Sequence, residues 1–319
     1  MNANRKGGAL LAVLWLTAAL SAIAFTVANS VRGETERTAT ASEGLRAYYL
    51  AAGGVDRATN YIFWGPQYRK PDGSPMFYDR GMARLYLQFP TGAAMVEVIP
   101  ETAKLSLNQA PPAELNSLLI NLGAPPQKAQ EIVAAIVDWR TPGPPGPFDQ
   151  FYSTVAPSFR ARHASFEELE ELLLVKGMTP ELFYGSFTRD PQGRLIPIPG
   201  LRNCVSVYNG VGPVDANTAE PAVLATIGVP PPSIAAIVDR RRSAPFKNSG
   251  ELQSTIPAGP ASGRLAVGGN TVYTLRSTAQ IRLPDGRFSD LRRTVGAVIK
   301  LREAGSFPPV ETLRWYDNY

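Results

Sequence analysis

Histidine and cysteine are almost missing from this chain of 319 residues, which has one of each, His163 and Cys204. A lone cysteine cannot close a disulfide within the chain, and it excludes zinc or iron–sulfur sites built from clustered thiolates. A lone histidine excludes His-rich metal centres and leaves little material for a Ser-His-Asp relay. Acid is missing from the first 33 residues, where Glu34 is the first carboxylate. A strong excess of either charge is missing as well: 32 Lys and Arg stand against 27 Asp and Glu. Gly210-Val211-Gly212 lacks a third glycine and runs into Pro213, so it reads as a turn and not as a nucleotide loop. No nucleophile–base pair emerges, and the residues point to a structural component, neither an enzyme nor a binder of a small-molecule substrate. What the chain has in quantity is glycine (28) and proline (29), the mark of many turns and short elements.

The N-terminus has the clearest pattern. Residues 1–7 contain Arg5 and Lys6 and no acid, and Gly8 to Val31 form a run of 24 uncharged residues. A helix needs about 20 such residues to cross the hydrocarbon core. Arg5 and Lys6 hold the first end in the cytoplasm, so the remainder lies beyond the membrane. A short basic leader ending in Gly7-Gly8, followed directly by a retained apolar helix, resembles the signal that prepilin peptidase cuts in pilins and pseudopilins. Cleavage is expected after Gly7, or after Gly8 as the alternative. The helix is expected to continue over 32–65, with Leu45, Tyr48, Tyr49, Ala52, Val55 and Tyr61 forming an apolar stripe. Gly53-Gly54 weakens it locally.

Beyond this helix the pattern changes twice. Residues 66–106 contain alternating apolar and polar runs broken by Pro90-Thr91-Gly92, the pattern of first strands. Residues 107–190 read as helical, interrupted by Thr-Pro-Gly-Pro-Pro-Gly-Pro at 141–147. Residues 191–260 contain a strand-like Cys-Val-Ser-Val-Tyr at 204–208 and a second helical block. Residues 261–319 alternate again, with Pro284-Asp285-Gly286 as a hairpin turn. Strands on both sides of a helical middle predict an α+β fold, one antiparallel sheet with a large helical domain inserted between strands.

The helical middle repeats itself. Asn108, Ala110, Pro112, Ala113 and Leu115 recur as Asn217, Ala219, Pro221, Ala222 and Leu224. Ala134-Ala135-Ile136-Val137-Asp138 recurs as Ala235-Ala236-Ile237-Val238-Asp239, and Phe166, Glu171 and Leu172 recur as Phe246, Glu251 and Leu252. These units resemble helix-hairpin-helix modules, which grip DNA by offering hairpin amides to a phosphate. That makes a membrane-anchored DNA-binding protein of DNA-uptake type the alternative function. The hairpins argue against nucleic acid, because Gly123-Ala124-Pro125-Pro126 and Gly228-Val229-Pro230-Pro231-Pro232 place prolines, which have no N–H, where donors are needed. Removing Arg5 and Lys6 with the leader also lowers the net charge from +5 to +3.

Repeat and N-terminus together resemble the general secretion pathway protein K family, the large minor pseudopilins of type II secretion. The resemblance runs through KGGALLAVLWL, AYYLAAGGVDRA, LSLNQAPPAEL, IVDWR, FEELEELLLVKGMTPELFYG, VSVYNGVGPVDANTAEPAVL and RRTVGAVIKL. It implies a pilin-like fold, a long N-terminal helix plus an antiparallel sheet. It also implies a bacterial inner-membrane location with a single span and the C-terminal domain in the periplasm. The implied role is at the tip of the pseudopilus, initiating assembly and supporting export of folded proteins across the outer membrane. The implied partners are other minor pseudopilins in a tip complex, the major pseudopilin and prepilin peptidase.

The family associates the segment after IVDWR with calcium, which takes six to eight hard oxygen ligands. Here no acid follows Arg140 until Asp149, which leaves Asp138 and Asp149 as the metal candidates of a degraded site and calcium binding unexpected. Asp138 is expected to pair with Arg140 or cap the loop. Ser165 and Glu168 are expected to form a capping box, with His163 as a partly exposed loop residue.

Overall fold

Sixty residues, Arg5–Trp64, form one uninterrupted helix, α1. At 1.5 Å per residue it is about 90 Å long. The computed structural model describes residues 5–256, 259, 261–269, 271–303 and 305–319, with side chains from Gly8 onward. Residues 1–4 of the expected leader lie outside the described residues. After α1 come β1 (Arg84–Phe89), β2 (Gly92–Pro100) and the short β3 (Leu105–Ser106). Helices α2 (Pro112–Asn121), α3 (Pro126–Arg140), α4 (Asp149–Thr154) and α5 (Pro180–Tyr184) follow. A hairpin of β4 (Gly185–Arg189) and β5 (Leu195–Pro199) leads to β6 (Val205–Ser206) and β7 (Val214–Asp215). Next come α6 (Pro221–Thr226), α7 (Pro231–Ser243), α8 (Ser249–Thr255) and β8 (Leu265–Ala266). The chain ends in β9 (Val272–Ile281), β10 (Arg293–Leu301) and β11 (Val310–Tyr316).

The main sheet has the order β1-β2-β9-β10-β11 and is antiparallel throughout. Everything between β2 and β9 is therefore an insertion in the β2–β9 connection. The strands alternate as a half-buried sheet requires. Ala94, Val96 and Val98 of β2, and Tyr273, Leu275, Ala279 and Ile281 of β9, point at α1.

The helix side of this contact differs from the stripe expected from the sequence. Leu45 and Tyr49 are exposed, and the buried face is Ala47, Leu50, Ala51, Val55, Ala58 and Ile62. At Gly54 the helix lies close on the sheet. A Cβ at Gly54 would stand 2.3 Å from Ser277 Oγ and 3.1 Å from Ala94 Cβ. Gly53-Gly54 thus costs helix propensity and permits the approach.

Three other expectations are corrected. The hairpin β4–β5 begins inside the region read as helical to 190, the extended run at 204–208 pairs only over Val205–Ser206, and β11 was not foreseen as a separate strand. The inserted domain has its own core, which joins both repeats through Leu118, Ile136, Trp139, Phe166, Ile237 and Phe246. Each repeat is tied at its base by a two-residue parallel bridge, β3 with β6 and β7 with β8. A buried ion pair, Lys104 Nζ to Glu101 Oε1 at 2.7 Å, marks where β2 leaves the sheet, and Lys104 Nζ also reaches Thr274 of β9.

Candidate functional site

Every side chain from Gly8 to Val31 is exposed, and this part of α1 is apolar and long enough to cross a membrane. Burial begins only at Gly44, where α1 reaches the sheet. The helix thus divides into a segment with no protein neighbours and a segment seated on the sheet. Gly7 and Gly8 lie in its first turn. No carboxylate precedes Glu34. An unpaired carboxylate inside a bilayer costs a few kcal/mol, so this span has no such cost.

The inserted domain shows what the repeated residues do. Asn108 donates through Nδ2 to Phe166 O (3.0 Å) and accepts from Phe166 N at Oδ1 (2.8 Å). Asn217 makes the same pair with Phe246, at 2.8 and 2.9 Å. Arg140 donates to Leu107 O (2.6 Å) and Ala110 O (2.7 Å), and Arg241 donates to Ala216 O (3.1 Å) and Ala219 O (2.6 Å). Arg140 is therefore taken by carbonyls and does not pair with Asp138 as expected. Arg140 uses both terminal nitrogens, a fork that the planar guanidinium supplies, whereas Arg241 reaches its two carbonyls through Nη1 alone. Glu171 accepts from the Glu167 and Glu168 amides, and Glu251 accepts from the Lys247 amide.

The hairpins have no amides left for a phosphate. Gly123 N and Ala124 N donate to Ile120 O and Leu119 O, and Gly228 N and Val229 N donate to Ala225 O and Leu224 O. Gly123 (φ 92°) and Gly228 (φ 91°) end their helices in the left-handed conformation that closes such a turn. The basic run is also largely engaged. Arg240 meets Glu251 and Thr255, and Arg241 is clamped as above. These contacts weigh against the DNA-binding alternative.

Asp138 and Asp149 meet around a residue the sequence reading left idle. His163 Nε2 lies 2.9 Å from Asp149 Oδ2, and its Nδ1 lies 3.1 Å from the Asp138 carbonyl. Both partners are acceptors, so both ring nitrogens must donate, which requires the imidazolium. Consistently, the hydrogen bond to Asp149 raises the His163 pKa above its usual value, and the same bond lowers that of Asp149. Asp149 Oδ2 also accepts from Gly146 N at 2.6 Å. Burial raises the Asp138 pKa. Its Oδ2 has no partner, and a Cβ at Gly146 would stand only 1.8 Å from Oδ1. His163 holds φ 47°, a left-handed backbone position that few non-glycine residues adopt.

Calcium does not fit this arrangement. Two carboxylates, one already occupied by an imidazole and a backbone amide, fall far short of the oxygen set calcium takes. Among the described residues no group of three or more His, Cys, Asp or Glu is placed to hold a metal. The imidazolium supplies positive charge at the place the acids share.

The capping box is also displaced by one turn. Glu168 and Glu171 form it, in place of Ser165 and Glu168. Glu168 additionally holds Arg314 of β11 through both carboxylate oxygens. Its sequence signal was the Glu-Glu-Leu-Glu-Glu run, which offers several registers and gives no hint of the strand that selects one.

Comparison with known proteins agrees with this architecture. Residues 97–184 match the profile of type II secretion system (T2SS) protein K. The whole structure resembles a chain of the crystal structure of the GspK-GspI-GspJ complex from the enterotoxigenic Escherichia coli type 2 secretion system. The TM-score is 0.54 at 15% identity, covering 88% of this chain and 98% of the other. No curated protein sequence matches significantly. The profile match falls on the end of β2 and the first helical repeat. Over residues 97–184 the chain thus matches the protein K model of the type II secretion system, and its fold as a whole is that of the GspK-GspI-GspJ relative.

Proposed function

We propose that this subunit sits once, at the tip of the type II secretion pseudopilus, and initiates its assembly. The observation that supports the reading is the acid-free apolar segment: the fifth residue after cleavage, where most pilins carry a glutamate, is Ala12 or Val13, so the helix has no carboxylate to meet the amino terminus of a subunit above it. A first subunit has no such predecessor. The inserted domain, 101–271, points the same way, because its bulk beside the sheet would obstruct a second copy stacking above.

On this reading prepilin peptidase cuts after Gly7 or Gly8, and the helix remains in the bacterial inner membrane. Its sheet and inserted domain face the periplasm. Other minor pseudopilins join it in a tip complex, as the solved relative assembles with GspI and GspJ, and the major pseudopilin extends the shaft beneath. The role is structural and needs no cofactor. Counting pseudopili in cells that overproduce the major pseudopilin tests initiation. Deleting this chain should sharply reduce the number of filaments, and an undiminished number would overturn the reading.

A further inference from the structure

A cleft of about 820 Å³ lies between the outer face of the main sheet and the end of the second helical repeat. Its floor is a cross-strand row, Arg84 of β1 opposite Glu97 of β2 opposite Arg276 of β9. Glu97 sits between two guanidiniums, 3.8 Å from Arg84 and closer to Arg276. Its roof carries Arg241, Arg242 and Lys247.

Two of the three acids in this cleft are already committed: Asp79 pairs with Arg69 at 3.4 Å and Glu97 serves the two floor arginines, while the third, Glu220, lies among the charges of Arg241 and Arg276. The cations are not all committed. Arg242 has only a 3.4 Å pair with Asp239, in which both side chains are about three-quarters exposed, and such pairs contribute little. Lys247 uses its backbone amide toward Glu251 and is exposed. A walled groove with an uncompensated excess of one sign concentrates the opposite charge.

From this juxtaposition we infer that the cleft is a docking site for an acidic peptide segment of a partner protein, with Arg242 and Lys247 as the contacts for its carboxylates. Nothing in the assignment of tip position requires it, so it stands or falls separately. The full-length protein in a zwitterionic detergent micelle is titrated with a fluorescent peptide of alternating Glu and Ser, and with the same peptide carrying Lys for Glu. The acidic peptide should bind and the basic one should not, with affinity falling as salt is raised. Lys247→Glu and Arg242→Glu, both exposed positions that leave the fold intact, should each weaken binding about tenfold. Arg189→Glu, an equal charge change on the distant β4–β5 hairpin, should leave it within about twofold. Equal losses in all three variants, or equal binding of the basic peptide, would overturn the site. Binding of a single-stranded oligonucleotide in place of the acidic peptide would overturn the class of partner.

Discussion

The two helical repeats of the inserted domain share one frame and differ in one stretch. In both, an asparagine brackets the backbone of a buried phenylalanine and an arginine at the end of the long helix clamps two carbonyls at the repeat's base. Between that arginine and that phenylalanine, however, the first repeat runs from Arg140 to Phe166 and the second only from Arg241 to Phe246. The longer connection carries the proline-rich loop, α4 and His163, and the aspartate before it changes character. Asp239 is about three-quarters exposed, whereas Asp138 is partly buried against Gly146. The repeat frame is therefore a property of the fold. The Asp138–Asp149–His163 cluster is an addition that holds one extra loop, and it has no counterpart in the second repeat.

The asparagines offer the most severe test of the shared frame. Asn108→Leu and Asn217→Leu should each cost about 2–4 kcal/mol, because a buried Phe N–H and C=O lose their partners together. Thermal unfolding of the full chain in detergent would measure it. A loss confined to one repeat would break the equivalence. Arg140→Lys comes next, at about 1–3 kcal/mol, since one ammonium replaces two guanidinium nitrogens that each hold a carbonyl, and Arg241→Lys should cost less, because Nη1 alone reaches both of its carbonyls.

His163→Gln should cost less, about 1 kcal/mol, and only over a defined pH range. The folded His163 pKa is raised above its ordinary 6.5, so its contribution is complete below that value and fades as pH rises through the folded pKa. The Asp149 pKa is lowered from 3.8, so its share is present above that value and fades as pH falls through the folded pKa. Wild type and His163→Gln should therefore differ most near pH 5–6 and converge toward pH 9. A difference that persists unchanged at pH 9 would contradict an imidazolium clasp. The smallest expected effect is that of calcium removal. A ligand at 100 times its Kd adds about 2.7 kcal/mol, and here a chelator should leave the melting temperature unmoved.

Much of this comparison was legible in the sequence. The recurrence of three short runs, at Asn108 and Asn217, at Asp138 and Asp239, and at Phe166 and Phe246, marked two units, and the alternation within 66–106 and 261–319 marked strands on both sides of them. What the sequence hid were partners far away in the chain. His163 looked idle because Asp149 lies 14 residues before it and the Asp138 carbonyl 25 before it. Large side chains at helical spacing favoured Leu45 and Tyr49 as the buried face of α1. The face that packs is instead Ala47, Leu50, Ala51, Gly54, Val55, Ala58 and Ile62, and at Gly54 the sheet lies too close for a Cβ. The last strand escaped notice because its alternation is weak, five of its seven residues being only half-buried at the sheet edge.

The central claim is the place of this subunit in the filament, and labelling assembled pseudopili measures it directly. With a small tag on the exposed β4–β5 hairpin and gold-conjugated antibody, the account predicts a single label at one end of each pseudopilus. Labels repeated along the shaft would contradict it.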